Sequence, residues 1–174
     1  KKHDGHLGVE SPPEGGAVFT LYLPACETAV PADEPAEEEE PPRGAGRILV
    51  MDDDPMIRRV AGTMLRHLGY EVLVASEGEE ACALHQMTLA EGQPLVAAIL
   101  DLTVRHGLGG EETARRLRAT DPSVRLLACS GYANDPIMAD CHAYGFDGVV
   151  EKPFRSRDLA RALAAALGPA HNGV

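Results

Sequence analysis

The chain has 174 residues, a net charge of −11, 44% hydrophobic residues and no tryptophan, which suits one ordinary domain with an aliphatic core plus an appendage. No apolar run of about 18 residues exists to span a membrane. The acid excess argues against binding a nucleic-acid backbone, which needs a basic face. The first residues, KKHDGHLG, lack the apolar stretch of a signal peptide and begin without methionine, so the sequence reads as a cut into a longer protein.

Residues 1–26 hold two strand-like stretches, HLGVES and AVFTLYL, joined by PPEGG, the pattern of a hairpin with a Gly/Pro loop. Free of a larger sheet, such a hairpin would expose Val18, Phe19, Leu21 and Leu23. Residues 27–46, ETAVPADEPAEEEEPPRGAG, have nothing large and apolar to bury and read as an acidic Pro/Glu linker. Much of the acidity lies in this first part: residues 1–43 carry ten acids against three Lys or Arg.

Residues 47–168 then alternate between two periodicities. Strand patterns fall at RILVM (47–51), YEVLVA (70–75), LVAAIL (95–100), VRLLACS (124–130) and GVVEK (148–152). Helix patterns lie between them. Asp54-Pro55 opens the first, with Met56, Ile57, Val60, Met64, Leu65 and Leu68 at helical spacing and Gly69 as its stop. Ser76 is positioned to cap the second, which runs through Ala81, Leu84 and Leu89, and the third runs from Gly110 to Leu117. Asp135-Pro136 opens the fourth, which ends at Gly145, and Ser156 to Leu167 forms the last, followed by a short tail at 169–174. Five such units with near-continuous apolar strands predict a parallel sheet covered by helices on both faces. The strands bearing carboxylates belong at its centre, where neighbouring connections diverge to opposite faces.

Cys26, Cys82, Cys129 and Cys141 show neither CxxC spacing nor a disulfide framework, so they read as reduced small hydrophobes of a cytoplasmic protein without a zinc site.

The chemistry gathers where the strand patterns end. Asp52, Asp53 and Asp54 follow the first, Asp101 the third, Ser130-Gly131 the fourth and Lys152 the fifth. In a parallel sheet these ends share one edge. Two carboxylates at about 4 Å repel by roughly 4 kcal/mol at an effective dielectric of 20. Asp52, Asp53 and Asp101 therefore call for a proton or a cation, and an all-oxygen set favours a hard divalent ion. The bland alternative is that the adjacent acids cap the next helix, as Asp54 does before Pro55. Ser130 and Lys152 each also read, singly, as a turn serine and a surface lysine.

The series of Asp52-Asp53 after ILVM, Asp101 after AAIL, Ser130-Gly131 after LLAC, and Lys152-Pro153-Phe154 resembles the receiver domain of two-component response regulators. MDDDPMIRRVAG, LDLTV, GGEE, SGYANDPIMA and YGFDGVVEKPF are similar to receivers joined to hybrid sensor kinases. The resemblance covers residues 47–168. It implies a flavodoxin-like (βα)5 fold with sheet order 2-1-3-4-5, and a partner that is a histidine kinase or histidine phosphotransfer domain. It implies Asp101 as phosphoacceptor and Mg²⁺ or Mn²⁺ held by Asp52, Asp53, Asp101 and Thr103. Ser130, Gly131 and Lys152 would bind the phosphoryl group. By itself such a domain only phosphorylates itself from a phosphodonor and loses the phosphate again.

Two departures stand out. Val149 occupies the position, three before the lysine, where the family often has an aromatic switch, with Tyr132 the nearby aromatic. Arg105 and His106 stand in the loop where the family often has proline, which makes them candidate modulators. GHLGVESPPEGGAVFTLYLPA is similar to the last hairpin of a histidine-kinase ATP-binding domain. Its asparagine and earlier glycine boxes are missing, so no ATP binding is expected. His85 lies in a helix pattern without the four-helix bundle a phosphotransfer histidine needs. The competing readings are a haloacid-dehalogenase-like phosphatase, using Asp52 and Asp54, and a degenerate receiver that serves only for interaction.

Overall fold

The computed structural model describes residues 5–25, 44–105, 107–132 and 135–168. The chain divides into two compact units, lying within Lys1–Glu39 and Glu40–Val174.

The first unit is a hairpin. Strand β1 (His6–Glu10) pairs antiparallel with β2 (Val18–Tyr22), with Leu7 opposite Leu21 and Val9 opposite Phe19. Gly15 and Gly16 carry the turn at φ 93° and 91°, a region that costs a side chain strain and glycine none. Cross-strand pairing places Leu7, Val9, Phe19 and Leu21 on one face, and all four are more than half exposed. Two strands alone have no second layer to bury them against. Val18 and Leu23, also expected on the surface, are exposed as well.

In the second unit, β3 (Arg47–Met51), β4 (Glu71–Ala75), β5 (Leu95–Asp101), β6 (Arg125–Ser130) and β7 (Gly148–Glu151) form one parallel sheet of order β4-β3-β5-β6-β7. Numbered within the unit, that is 2-1-3-4-5, the order the resemblance implied. Side chains alternate between two aliphatic cores. Ile48, Val50, Ala97, Ile99, Leu127 and Cys129 pack beneath α1 (Pro55–His67) and α5 (Ser156–Leu167). Leu49, Met51, Ala98, Leu100, Leu126 and Ala128 pack beneath α2 (Gly78–Ala90) and α3 (Gly110–Thr120). The helices after β3 and β5, which are neighbouring strands, thus cover opposite faces and leave a crevice between their C-terminal ends.

Local chemistry sets most boundaries as expected. Asp54 accepts a bond from the Met56 N–H at 2.7 Å with Pro55 in the first turn, and Asp135 caps Ile137 in the same way at 3.0 Å. Gly69 and Gly145 take φ 97° and 81° after their helices.

Three expectations fail. Ser76 does not cap α2: its N–H and hydroxyl both donate to Glu80 Oε2 at 2.7 Å, and Glu77 is the capping residue, without a side-chain bond. The helix begun at Asp135 does not run through to Gly145. It is the single turn α4 (Pro136–Ala139), then a 3-10 turn at Cys141–Tyr144, because Asp140 leaves helical geometry and its carboxylate accepts from the Ala143 N–H. Finally, Met56 and Val60 of α1 face solvent. The buried positions within the helix are Ala61, Gly62 and Leu65.

Candidate functional site

The sheet register brings distant residues together at its C-terminal edge. Asp52 follows β3, and Asp101 is the last residue of the adjacent β5. Their side chains are buried, and one oxygen each from Asp52, Asp53 and Asp101 lies within 4.8 Å of the others. Lys152, just past β7, sends its ammonium into this cluster, with Nζ 2.6 Å from Asp52 Oδ2 and 3.0 Å from Asp101 Oδ2. The sequence led to an acid trio with a lysine reaching for a phosphoryl group. The structure adds that the lysine bridges two of the acids.

The main chain aims each of these groups. Asp52 Oδ1 accepts from the Asp54 N–H at 2.9 Å, and the Arg58 guanidinium donates to the Asp52 carbonyl at 2.6 Å. Asp101 Oδ1 accepts from the Thr103 N–H at 3.3 Å. Asp53, less buried, has its Oδ2 3.4 Å from the Arg105 main-chain nitrogen and 4.0 Å from Arg105 Nε. Ser130 is fully buried: its Oγ accepts from the Tyr132 N–H at 3.1 Å, and its carbonyl accepts from the Lys152 N–H at 2.9 Å. Gly131 is exposed, close to the stem of Lys152, and Tyr132 is exposed. His106 lies outside the described residues. Half-buried Val149 packs against the α2/α3 core.

Burial pushes the Asp101 carboxyl above its ordinary value, and Lys152 only partly offsets this. Burial alone would lower the Lys152 ammonium, but its bonds to Asp52 and Asp101 outweigh that and hold it above its usual range. Beneath the acids, the Cys129 thiol is pushed up to about 12 by burial, which removes it as a nucleophile. Cys82 and Cys141 are raised by burial too, and all three are free thiols; Cys26 lies outside the described residues.

Some supporting residues escape a sequence reading. Arg58 acts through a main-chain carbonyl, which leaves no motif. Gly110 is legible only as part of the GG pair at 109–110: a Cβ there would stand 2.5 Å from the Asp101 carbonyl oxygen, so α3 starts hard against the backbone of Asp101. Gly78 is pressed in the same way against Leu108 and Thr113. Its N–H donates to the Leu108 carbonyl at 3.0 Å, and Glu77 accepts from the Leu108 N–H at 3.4 Å, so the turn before α2 braces the loop after Asp101.

A hard divalent cation fits this donor set. All three converging groups are carboxylates, with no His or Cys among them, and Lys152 reaches only Asp52 and Asp101. Asp53, which Lys152 does not reach, is the most solvent-open of the three.

The surroundings of the site have known counterparts. Over 163 residues the chain is 29% identical to the sensor protein TorS of Escherichia coli, an alignment spanning 94% of this chain and 17% of that one. It is 26% identical over 175 residues to the sensor kinase CckA of Brucella abortus, spanning 96% and 18%. The chain thus covers less than a fifth of the length of these two relatives. Among solved structures, the receiver domain of sensor histidine kinase PA1611 from Pseudomonas aeruginosa, with a magnesium ion in its active-site cleft, aligns with a TM-score of 0.60 and 28% identity. That match covers 72% of this chain and all of that one. Residues 48–164 match the family model of the response regulator receiver domain, and the chain belongs to that family.

Proposed function

We propose that Asp101 is the phosphoacceptor of this receiver and takes its phosphoryl group from a phosphohistidine of a histidine kinase or histidine phosphotransfer domain. The observation that carries the assignment is the meeting of Asp52, Asp53, Asp101 and Lys152 at one edge, with Asp101 on the central strand β5 and bonded by the ammonium. An Asp101 oxygen attacks phosphorus in line. The P–O bond forms as the P–N bond breaks, and the imidazole leaves with the electron pair and picks up a proton. Asp53 and Asp101 would hold Mg²⁺ directly, Asp52 through water and Thr103 by its carbonyl, and Mn²⁺ would suit the same oxygens. Bound there, the ion offsets the repulsion between the carboxylate and phosphoryl oxygens.

Lys152 holds a phosphoryl oxygen by charge, and the Ser130 hydroxyl and Gly131 N–H donate to others. For Ser130 this requires the hydroxyl to present its hydrogen outward while Oγ keeps the Tyr132 N–H, which one oxygen can do. Water then cleaves the P–O bond and regenerates the carboxylate. Arg105 and Tyr132, around the mouth, tune the lifetime of the phosphoryl group, and His106, next in sequence to Arg105, is a further candidate for that role.

We also infer that the chain belongs to a cytoplasmic part of a hybrid sensor kinase. In that reading residues 1–26 are the end of an ATP-binding domain, 27–46 a linker, 47–168 the receiver and 169–174 a tail. Alignments to TorS and CckA that take in over nine-tenths of this chain support it, as does the apolar hairpin face, which a larger sheet would cover.

The test is incubation with acetyl phosphate and Mg²⁺ followed by intact-mass analysis and peptide mapping. One added phosphoryl group on Asp101, absent in Asp101→Asn, is expected. Label on Asp52 would instead favour a phosphatase of the haloacid-dehalogenase type, and no label at all would leave a degenerate receiver.

A further inference from the structure

The loop after Asp101 turns back on the acid cluster. Arg105 approaches the same atom twice: its main-chain N–H donates to Asp53 Oδ2 at 3.4 Å, and its charged Nε stands 4.0 Å from it. Asp53 is the one acid of the three that Lys152 does not reach, so its counter-charge comes from this loop. The arginine side chain is 86% exposed, so it can leave without opening a cavity or stranding a buried polar group. The turn before α2 holds the far end of the same loop through Glu77, Gly78 and Leu108.

We propose that Arg105 is a built-in competitor for the divalent cation. Its main-chain N–H lies 3.4 Å from Asp53 Oδ2 and its guanidinium charge 4.0 Å from it, so an ion held by Asp53 meets a positive charge already in place. Loading the site therefore works against the charge of Arg105, and the loop after the acceptor strand sets how much cation the receiver needs. The inference rests on the reading of Asp53 as a cation ligand. Its physical basis is charge: a cation beside a divalent site lowers that site's affinity, and in a solvent-open position the effect is modest and screened by salt. The neighbouring Lys152 does not duplicate this role, because it is far less exposed than Arg105 and bridges the other two acids.

Mg²⁺ titration of the whole chain, followed by amide shifts of residues 52–54 and 101–105, tests it. Arg105→Ala and Arg105→Gln are expected to bind Mg²⁺ about three- to five-fold more tightly than wild type at low ionic strength, and Arg105→Lys about as wild type does. The advantage of the neutral variants should shrink on adding salt. The Mg²⁺ concentration giving half-maximal phosphorylation by acetyl phosphate should fall by the same factor. Equal Mg²⁺ affinity in wild type, Arg105→Ala and Arg105→Gln would overturn the proposal. Wild-type Mg²⁺ binding retained in Asp53→Asn would instead overturn the underlying assignment of Asp53.

Discussion

At the N-terminal ends of the strands, Arg47 reaches Glu71 at 3.2 Å, Glu91 at 3.3 Å and Gln93, while Asp147 accepts from Arg118, from Arg125 at 3.0 Å and from the Leu126 N–H at 2.8 Å. At the C-terminal ends three carboxylates converge, and a single lysine reaches two of them. One edge of the sheet matches each charge with its opposite. The other gathers charges of one sign and buries two of them. The first arrangement stabilises the fold. The second leaves the site short of positive charge, the shortfall that a cation, bringing with it a phosphoryl group, would fill in the function proposed above. A receiver thus separates structural and chemical use of carboxylates along the length of its strands.

This contrast can be broken most decisively by swapping one acid at each edge. Asp53→Asn is expected to slow phosphorylation by acetyl phosphate at least about a hundred-fold, the scale of removing a charge-stabilising group from an active site. Asp147→Asn should leave that rate within about two-fold, and comparable losses in both would erase the distinction between the edges. Lys152→Met comes next. Leaving Asp52 and Asp101 buried without their ammonium is expected to lower unfolding free energy by about 3 kcal/mol in urea denaturation. Adding Asp101→Asn should restore much of it, since one of the stranded charges is then gone; strictly additive losses would contradict the bridging role.

A smaller effect belongs to the structural edge. Asp147→Asn should cost about 2 kcal/mol, the scale of hydrogen bonds to a charged group. Although burial by itself raises the Asp147 carboxyl, the Leu126 N–H and the two arginines hold it below its ordinary value. Its contribution is therefore complete above the unfolded carboxylate pKa of about 4 and is lost as pH falls through the folded value. Wild type and variant should converge in acid.

The smallest effect lies in the interior between α2 and α3. His85 is buried with neither ring nitrogen hydrogen bonded among the described residues, and Asp121 Oδ2 is likewise without a partner. Burial lowers the His85 pKa, with Asp121 pulling the other way. The folded protein then binds fewer protons than the unfolded chain, so stability should fall as pH drops below about 6.5, and His85→Leu should flatten that slope. Denaturation midpoints at several pH values between about 5 and 7 would show it; parallel curves would mean that His85 finds a partner.

The local signals that were legible are those whose physics is local. Asp54-Pro55, Asp135-Pro136, Gly69 and Gly145 punctuate helices through bonds within a few residues, and the strand runs declare themselves by unbroken apolar composition. The signals misread are those where a side chain had a choice. Ser76 had a carboxylate four residues on and donated to it rather than capping, and Asp140 took an N–H from the turn ahead and broke a helix. For α1, periodicity marked where apolar residues recur, and Leu65 and Leu68 are buried, but it did not mark that Met56 and Val60 would face solvent.

From the order of residues alone came the repeating strand and helix units, the placing of acids, hydroxyl and lysine at strand ends, and the kind of chemistry such a set supports. The three-dimensional arrangement settled how those groups spend their charges on one another. Lys152 lies 51 residues beyond Asp101 yet bridges it to Asp52, Arg105 leans over Asp53, and Gly110 brings α3 against the Asp101 backbone. A linear pattern records which functional groups a segment carries. Distances of a few ångströms between segments far apart in the chain depend on how strands align and helices close over them, and Coulomb energy at such a site varies with those distances.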